Sequence, residues 1–503
     1  MNAVGTGALP LRQWLVLLVG LGLIWWLAIS EMSGTAIIKD AGENLQLGLN
    51  LAHHGVFSLD ASPPYRPAMT REPVPVAVLA ATITLSDDAL GRVPVDAYFS
   101  GERARYLKFS NLLWLTLLTG CTFIAIRHFT ARFSLAVLGS AIVASHFTWA
   151  VPMAARSQLG VDNLDTELAG AALLTAASLL LVIGLARHSR LTLFAAGVGL
   201  GLAALTKASV FYVCLLEFAA FLAGYGVMAA RRQASAWRPV FALFGALVAG
   251  FMLTTLPWLY RNHLRTGYWQ IAERSGSVLM HRALLNEMTA QEFAGAWVVW
   301  GPPYLHRIVG PLTRYTAADL DAGGQLQRLA ESFSGVANER ELAAEEAGRP
   351  DQAVSWYRKA RALYEAQLAE FTQEQYFYPS GAADRATRTE AVRRIIAHPL
   401  KHAALMPLLI WRGAPLTFPV LLLAPVLAWR RGRPDLLLFV LPAVGLAIFY
   451  SAASQFPPRF AEVFYPIAVV AFLTAVVAAV ADRRRYFARE ARAPRESLPA
   501  RNM

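Results

Sequence analysis

The chain has 503 residues, 56% of them hydrophobic and only 16% charged, too apolar for a water-soluble protein of this length and ordinary for one whose solvent is partly lipid. The formal net charge of +12 is concentrated in short loops and the C-terminal tail, with no aromatic-interleaved patch, so membrane topology accounts for it and nucleic-acid binding does not. The two cysteines, Cys121 and Cys214, both lie in apolar runs, which excludes a disulfide framework and a cysteine-based metal site.

Runs long enough to cross a hydrocarbon core of roughly 30 Å fall near 12–30, 107–126, 134–153, 168–186, 191–206, 209–230, 239–257, 405–428, 436–450 and 463–481. The first lacks a small-residue cleavage site and many more follow, so it reads as a retained helix and not as a signal peptide. With the N-terminus in the cytoplasm, the inner connections are 127–133, 187–190, 231–238, 429–435 and the tail from 482. They hold Arg127, Arg132, Arg187, Arg190, Arg231, Arg232, Arg238, Arg430, Arg431 and Arg433 and then the arginine-rich tail, as the positive-inside rule requires. The expected fold is an all-α polytopic membrane protein of about ten transmembrane helices with both termini inside. Its expected organisation is an N-terminal transmembrane module over 1–257, an extracytoplasmic, mostly helical domain over 258–402, transmembrane helices over 403–481 and a basic cytoplasmic tail over 482–503.

In chain order, the first candidates for chemistry are Asp40 and Glu43. Three residues apart, they share one face of a helix whose Leu45, Leu47, Leu49 and Leu51 meet lipid or protein. A carboxylate at the bilayer edge suits a general base, because burial raises its pKa toward the working pH; an acid at a helix start is equally explained as a cap. Tyr65-Arg66-Pro67 and Thr70-Arg71-Glu72-Pro73-Val74-Pro75 read as a rigid, proline-punctuated loop, either an entry loop or a clamp, leading into the apolar segment 74–85. A second acidic cluster, Asp162 to Glu167 with Asp165 inside it, lies in the short outer loop 154–167. Charges this near the core are costly unless paired or wet, which suits a site, and a solvated cap for the fourth helix explains them equally.

Lys207, one of 5 lysines beside 41 arginines, sits where the fifth run turns into the sixth. It is a snorkelling anchor by default, or a compact cation for a phosphate. Glu217 is the one acid well inside a run, a functional candidate or an interhelical hydrogen bond. Arg261 and Arg459 add two more cations at the same expected face, and three cations from distant parts of the chain match the needs of a phosphate, although each singly is explained as an interfacial anchor. Within 258–402, Ala353, Trp356, Tyr357, Ala360, Leu363 and Tyr364 recur at helical spacing, like half a tetratricopeptide unit, and predict a helical hairpin lying against the membrane domain. No Gly-rich phosphate loop appears, and no ligand spacing requires a metal, although acidic loops can take a divalent cation.

Several of these stretches carry a family resemblance. They are Asp40-x-x-Glu43 with Asn50 to Ser58, Arg71-Glu72-Pro73-x-Pro75, Asp165-Thr166-Glu167, Leu205-Thr206-Lys207, Pro257-Trp258 with Arg261-Asn262, and Pro458-Arg459-Phe460 with Pro466. In this order, on one expected face, they resemble the polytopic GT-C glycosyltransferases, in particular the bacterial branch related to protein O-mannosyltransferases and to the aminoarabinose transferase that modifies lipid A. The resemblance runs from the first apolar run to Asn262, with a weaker echo from Glu390 to Pro466. It implies a GT-C-like bundle in the inner membrane, with catalytic outer loops 31–105 and 154–167. It also implies a glycosyltransferase of the cell envelope that moves a hexosyl or pentosyl group from a polyprenyl-phosphate donor to an extracytoplasmic hydroxyl of a lipid, glycan or protein, with inversion. Asp40 then takes the place of the base, with Glu43 and Asp165 beside it. Arg71, Glu72, Glu167, Lys207, Arg261 and Arg459 form the substrate set, Lys207 and Arg261 gripping the lipid phosphate with Arg459. Arg71 or Glu72 stands where some members supply a lysine. The alternative is a transporter or flippase for a lipid-linked or anionic solute, with Glu217 in a midplane site; the two halves show none of the matched broken helices common in transporters.

Overall fold

The structure, a computed structural model, describes residues 10–149, 160–230, 234–273, 275–302, 308–309 and 312–490, with only the backbone course given over 224–230, 234–240 and 484–490. All regular structure among the described residues is helical. In chain order the helices are α1 (Leu11–Glu31), α2 (Lys39–His54), α3 (Pro73–Leu90), α4 (Asp96–Phe99), α5 (Gly101–Lys108), α6 (Asn111–Thr130), α7 (Phe133–Thr148), α8 (Thr166–Ala186), α9 (Arg190–Ala204) and α10 (Ala208–Ala230). They continue as α11 (Ala234–Thr266), α12 (Ser275–Leu284), α13 (Ala290–Val299), α14 (Gly335–Glu346), α15 (Trp356–Gln373), α16 (Pro379–Ala397), α17 (Pro399–Gly413), α18 (Thr417–Arg431), α19 (Pro434–Ala453) and α20 (Tyr465–Glu490).

Among the described residues seven helical stretches are long and apolar enough to cross a membrane, or eight if the bent pair α17–α18 counts as one span. Side chains such as Leu18, Trp26, Leu113 and Leu253 are exposed on them, as lipid-facing residues must be. The chain is a multi-pass membrane protein. Each of the ten predicted runs holds helix, but three of them, α7, α9 and the Ala208–Ala223 part of α10, fall short of spanning length among the described residues. The run 405–428 is two helices bent by 107°. Pro415 explains the break: proline disfavours the helical conformation at the preceding residue, and Ala414 leaves it at φ −141° and ψ 52°. Conversely α3, inside the first outer loop, is an 18-residue apolar helix of spanning length that the run pattern does not count. Residues 154–159 of the predicted outer loop and 491–503 of the tail lie outside the described residues.

Packing between α9 and α11 sets the position of the site's lysine. A Cβ on Gly197 would sit 2.0 Å from the Leu247 carbonyl oxygen, and one on Gly250 would sit 2.2 Å from that of Phe194. The two backbones therefore touch, the arrangement small residues permit between helices in lipid, where apolar burial alone drives nothing together. Lys207 follows directly from the end of α9 clamped this way.

At one end of the bundle the first loop and the 258–402 segment meet. The Met69 amide donates to the Tyr378 hydroxyl at 3.1 Å, and Thr70 Oγ1 and Ser380 Oγ donate to the two oxygens of Glu273 at 2.8 and 3.1 Å. The expected helical hairpin is α14–α15, whose second helix starts at Trp356 behind the Ser355 cap, with Glu345 paired to Arg358 and Arg361. It reaches the bundle through α12, whose fully buried Arg282 donates to the Ser451 carbonyl of α19 at 2.9 Å and to the His402 carbonyl at 2.6 Å.

Candidate active site

Where these parts meet lies a cavity of about 410 Å³. Four acids, Asp40, Glu72, Asp165 and Glu167, and four bases, Arg71, Lys207, Arg388 and Arg459, line it beside apolar Ala208, Ala272, Val278, Leu279, Phe449 and Phe460. Seven of the nine residues singled out from sequence are in this set, drawn from α2, the start of α3, α8, the α9–α10 turn and a 3-10 turn at Pro458–Val463.

Ile38, not Asp40, occupies the N-cap position of α2, so Asp40 stands in the first turn and its oxygens face arginines. Oδ1 accepts from Arg71 Nη2 at 2.5 Å and Oδ2 from Arg459 Nη2 at 3.0 Å. Glu43, one turn on, accepts from Arg71 Nε at 2.8 Å and stands behind the cavity lining. Burial works against the charge of Arg71, but Asp40 and Glu43 more than offset it and its pKa is raised. Glu72 Oε1 accepts the Ala208 amide at 2.9 Å, tying the start of α3 to that of α10.

Asp165 precedes α8 without capping it, and its Oδ2 accepts from Asn163 Nδ2 at 2.8 Å. Burial, reinforced by the charge of Glu167, pushes its pKa up to about 7. Glu167 accepts from Lys207 Nζ at 2.8 Å, both side chains being buried. Lys207 is therefore no snorkelling anchor: burial opposes its charge, Glu167 offsets that, and its pKa is raised. The ammonium also lies 4.7 Å from the Phe460 ring centroid. Burial likewise opposes the charge of Arg459, and Glu167, Asp40 and Asp165 hold its pKa above the ordinary arginine value.

Arg261 is not in the cavity lining. Its Nη1 donates to the Ala68 carbonyl at 2.7 Å and to Asn262 Oδ1 at 2.9 Å, and its guanidinium lies 4.8 Å from the Trp258 ring centroid. These contacts tie α11 to the first loop, so the pairing of Arg261 with Lys207 on one phosphate, expected from sequence, does not form here. Asp162, next to the acidic pair, is likewise used elsewhere, accepting from buried Lys108 at 2.9 Å. Glu217 lies outside the lining; its Oε1 is buried with no hydrogen-bond partner among the described residues.

Sequence reasoning did not single out Tyr450, whose hydroxyl is 2.6 Å from Ser209 Oγ, or Tyr212, Ser275 and Arg388. Tyr450 ends an apolar run as many interfacial tyrosines do, and Arg388 is one arginine among several in α16, so neither carried a signal. Among the described residues no group of three or more His, Cys, Asp or Glu side chains is placed to hold a metal ion.

No family model matches the chain, and no curated protein matches it. Among solved structures it is similar to an archaeal oligosaccharyltransferase, AglB from Archaeoglobus fulgidus, in complex with an inhibitory peptide and a dolichol-phosphate. The identity is 15% and the TM-score 0.41, over 97% of this chain and 52% of that one. It is also similar to ArnT from Cupriavidus metallidurans bound to undecaprenyl phosphate, at 14% identity and TM-score 0.37, over 98% and 82% of the two chains. A third is the arabinosyltransferase EmbB from Mycobacterium smegmatis, at 13% identity and TM-score 0.33, over 95% and 42%. The chain spans about half the length of the AglB chain. At these scores the likeness assigns no residue and no chemistry, which rest on the cavity itself.

Proposed function

We propose that the protein is a membrane glycosyltransferase that moves a sugar from a polyprenyl-phosphate donor to an acceptor hydroxyl with inversion, on the extracytoplasmic side of the inner membrane. The observation that carries this reading is the cavity: an acid with a pKa near 7 stands beside paired cations and an apolar wall, at the end of a membrane bundle. A lipid-linked sugar phosphate needs an apolar approach for its chain, cations for its phosphate and a base for the incoming hydroxyl.

Of the three acids first considered as catalytic, Asp165 suits the base best. A general base works best with its pKa near the operating pH, and burial brings Asp165 there. Asp40 is gripped by two guanidiniums, and accepting a proton would forfeit both charge-assisted bonds, so it suits a positioning role for Arg71 and Arg459. Glu43 steadies Arg71 from behind.

In the step itself the acceptor hydroxyl gives its proton to Asp165 as its oxygen bonds to the anomeric carbon. The bond from that carbon to the phosphate oxygen breaks, its electron pair leaving with the phosphate. Donor and acceptor account for every atom, so no oxidant, nucleotide or metal is required by the balance. The transporter alternative needs Glu217 in the substrate path, and that residue is absent from the lining.

Purified protein in nanodiscs, given polyprenyl-phosphate sugars and membrane acceptors, is expected to consume donor as followed by mass spectrometry, and Asp165→Asn to stop it. Full turnover by Asp165→Asn together with Asp40→Asn would sink the proposal. Donor translocation without bond cleavage would favour the transporter.

A further inference from the structure

Of the four cavity cations, three already face carboxylates: Arg71 with Asp40 and Glu43, Arg459 with Asp40, and Lys207 with Glu167. Arg388, half-buried on α16, differs. Its Nη1 donates to two neutral oxygens, Ser275 Oγ at 3.1 Å and Gln270 Oε1 at 3.4 Å, and among the described residues it makes no ion pair. Asp384, one turn earlier, is occupied with the N-terminus of α12, accepting the Gly276 amide at 2.6 Å and the Ser275 hydroxyl at 2.9 Å. Ser275 is thus fixed by Asp384 and in turn orients the guanidinium.

The charges that act most strongly on Asp165 are those of Glu167, Arg459, Asp40 and Lys207. Arg388 acts instead on Asp384 and on Tyr212, another cavity residue. The cavity therefore has two cationic regions, one closed into direct ion pairs around the proposed base and one, on the wall built by α12 and α16, whose guanidinium meets Asp384 only through Ser275. Inversion places the attacking oxygen and the departing phosphate on opposite sides of the anomeric carbon. With the hydroxyl at Asp165, the phosphate falls to the other region. As the bond breaks, the phosphate goes from a singly charged diester to a monoester carrying a second negative charge, and a guanidinium not engaged in a direct ion pair is suited to stabilise that increment.

We propose that Arg388, held in aim by Ser275, is the anchor for the departing polyprenyl phosphate, which makes the outer helical segment part of the substrate site. This rests on the glycosyl-transfer reading above and adds the residue that grips the leaving group.

The test uses the full chain in nanodiscs with undecaprenyl phosphate as the probe, binding being measured directly and the Michaelis constants of donor and acceptor separately. Arg388→Gln is expected to weaken undecaprenyl phosphate binding by about tenfold or more, the scale of a lost charge-assisted bond. Donor KM is expected to rise and acceptor KM to hold. Arg385→Gln, on the same helix but lining a separate cavity and stacked on Tyr268, is expected to leave binding unchanged. A merely structural role would lower the melting temperature and weaken donor and acceptor alike. Equal binding by wild type and Arg388→Gln overturns this proposal alone; a wild type that binds no undecaprenyl phosphate overturns the transfer reading with it. Should Arg388→Gln fail to fold, Arg388→Lys decides: an ammonium lacks the planar fork, so binding about threefold or more weaker supports the anchor and wild-type affinity overturns it.

Discussion

The bundle wall of the cavity and the wall from the 258–402 segment handle charge in opposite ways. Around Asp165 the cations are closed into ion pairs, buried Lys207 with Glu167 and part-exposed Arg459 with Asp40, and burial brings the pKa of Asp165 to about 7. On the wall built by α12 and α16, Arg388 leans on neutral oxygens. The difference teaches that a buried cation and a ligand-ready cation are different things. Burying an ion is costly unless a partner goes with it, which accounts for the closed Lys207–Glu167 pair, while a half-buried guanidinium such as Arg388 can keep its charge without a direct ion pair.

The largest effect that could break this contrast is at Asp165. Asp165→Asn is expected to lower turnover by about a hundredfold to ten-thousandfold, the usual contribution of a positioned general base, in a donor-consumption assay. It is also expected to unfold no earlier than wild type at pH 8. The folded pKa is raised, so the stability that Asp165 contributes is present below its ordinary pKa of 3.8 and is lost as pH rises through about 7; an uncharged amide escapes that loss.

Next comes the closed pair. Lys207→Ala leaves Glu167 buried without its partner and is expected to cost about 3–5 kcal/mol in thermal or denaturant unfolding. Lys207→Met with Glu167→Leu is expected to recover most of that stability and none of the activity, separating the pair's packing role from its chemistry. More modest is the pH profile: turnover is expected to fall about tenfold per unit below pH 7 and level off above it, because only ionised Asp165 accepts a proton. An acid limb that persists unchanged in Asp165→Glu and Asp165→Asn would assign it to another group. The smallest effect is expected at Arg261. Arg261→Met keeps the ring packing and loses the bond to Ala68, so activity should stay within about tenfold of wild type with donor KM unchanged.

Much of this was legible in the chain because it depends on composition and local spacing. Apolar runs mark where the helices lie, arginine-rich connections suggest which ends face inward, and charged residues against apolar runs stand out for their cost. The break at Ala414 was legible too, in Pro415, though a hydropathy window smooths across it. Arg261 and Arg388 were not distinguishable. Arg261 lies near the end of α11 and Arg388 in the middle of α16, positions where arginine is unremarkable, and one turns to a backbone carbonyl while the other faces a cavity only because of which helices pack beside them.

The sequence by itself therefore determined the helical, membrane-spanning character of the chain and most of the ionisable residues that reach the cavity. These follow from the free energy of each segment in lipid and water, summed residue by residue. Which acid sits near neutrality, which cations are already neutralised and which wall Arg388 joins were decided only by the tertiary structure. A pKa and an ion pair depend on distances between segments as far apart as Asp40 and Arg459, and packing sets those distances.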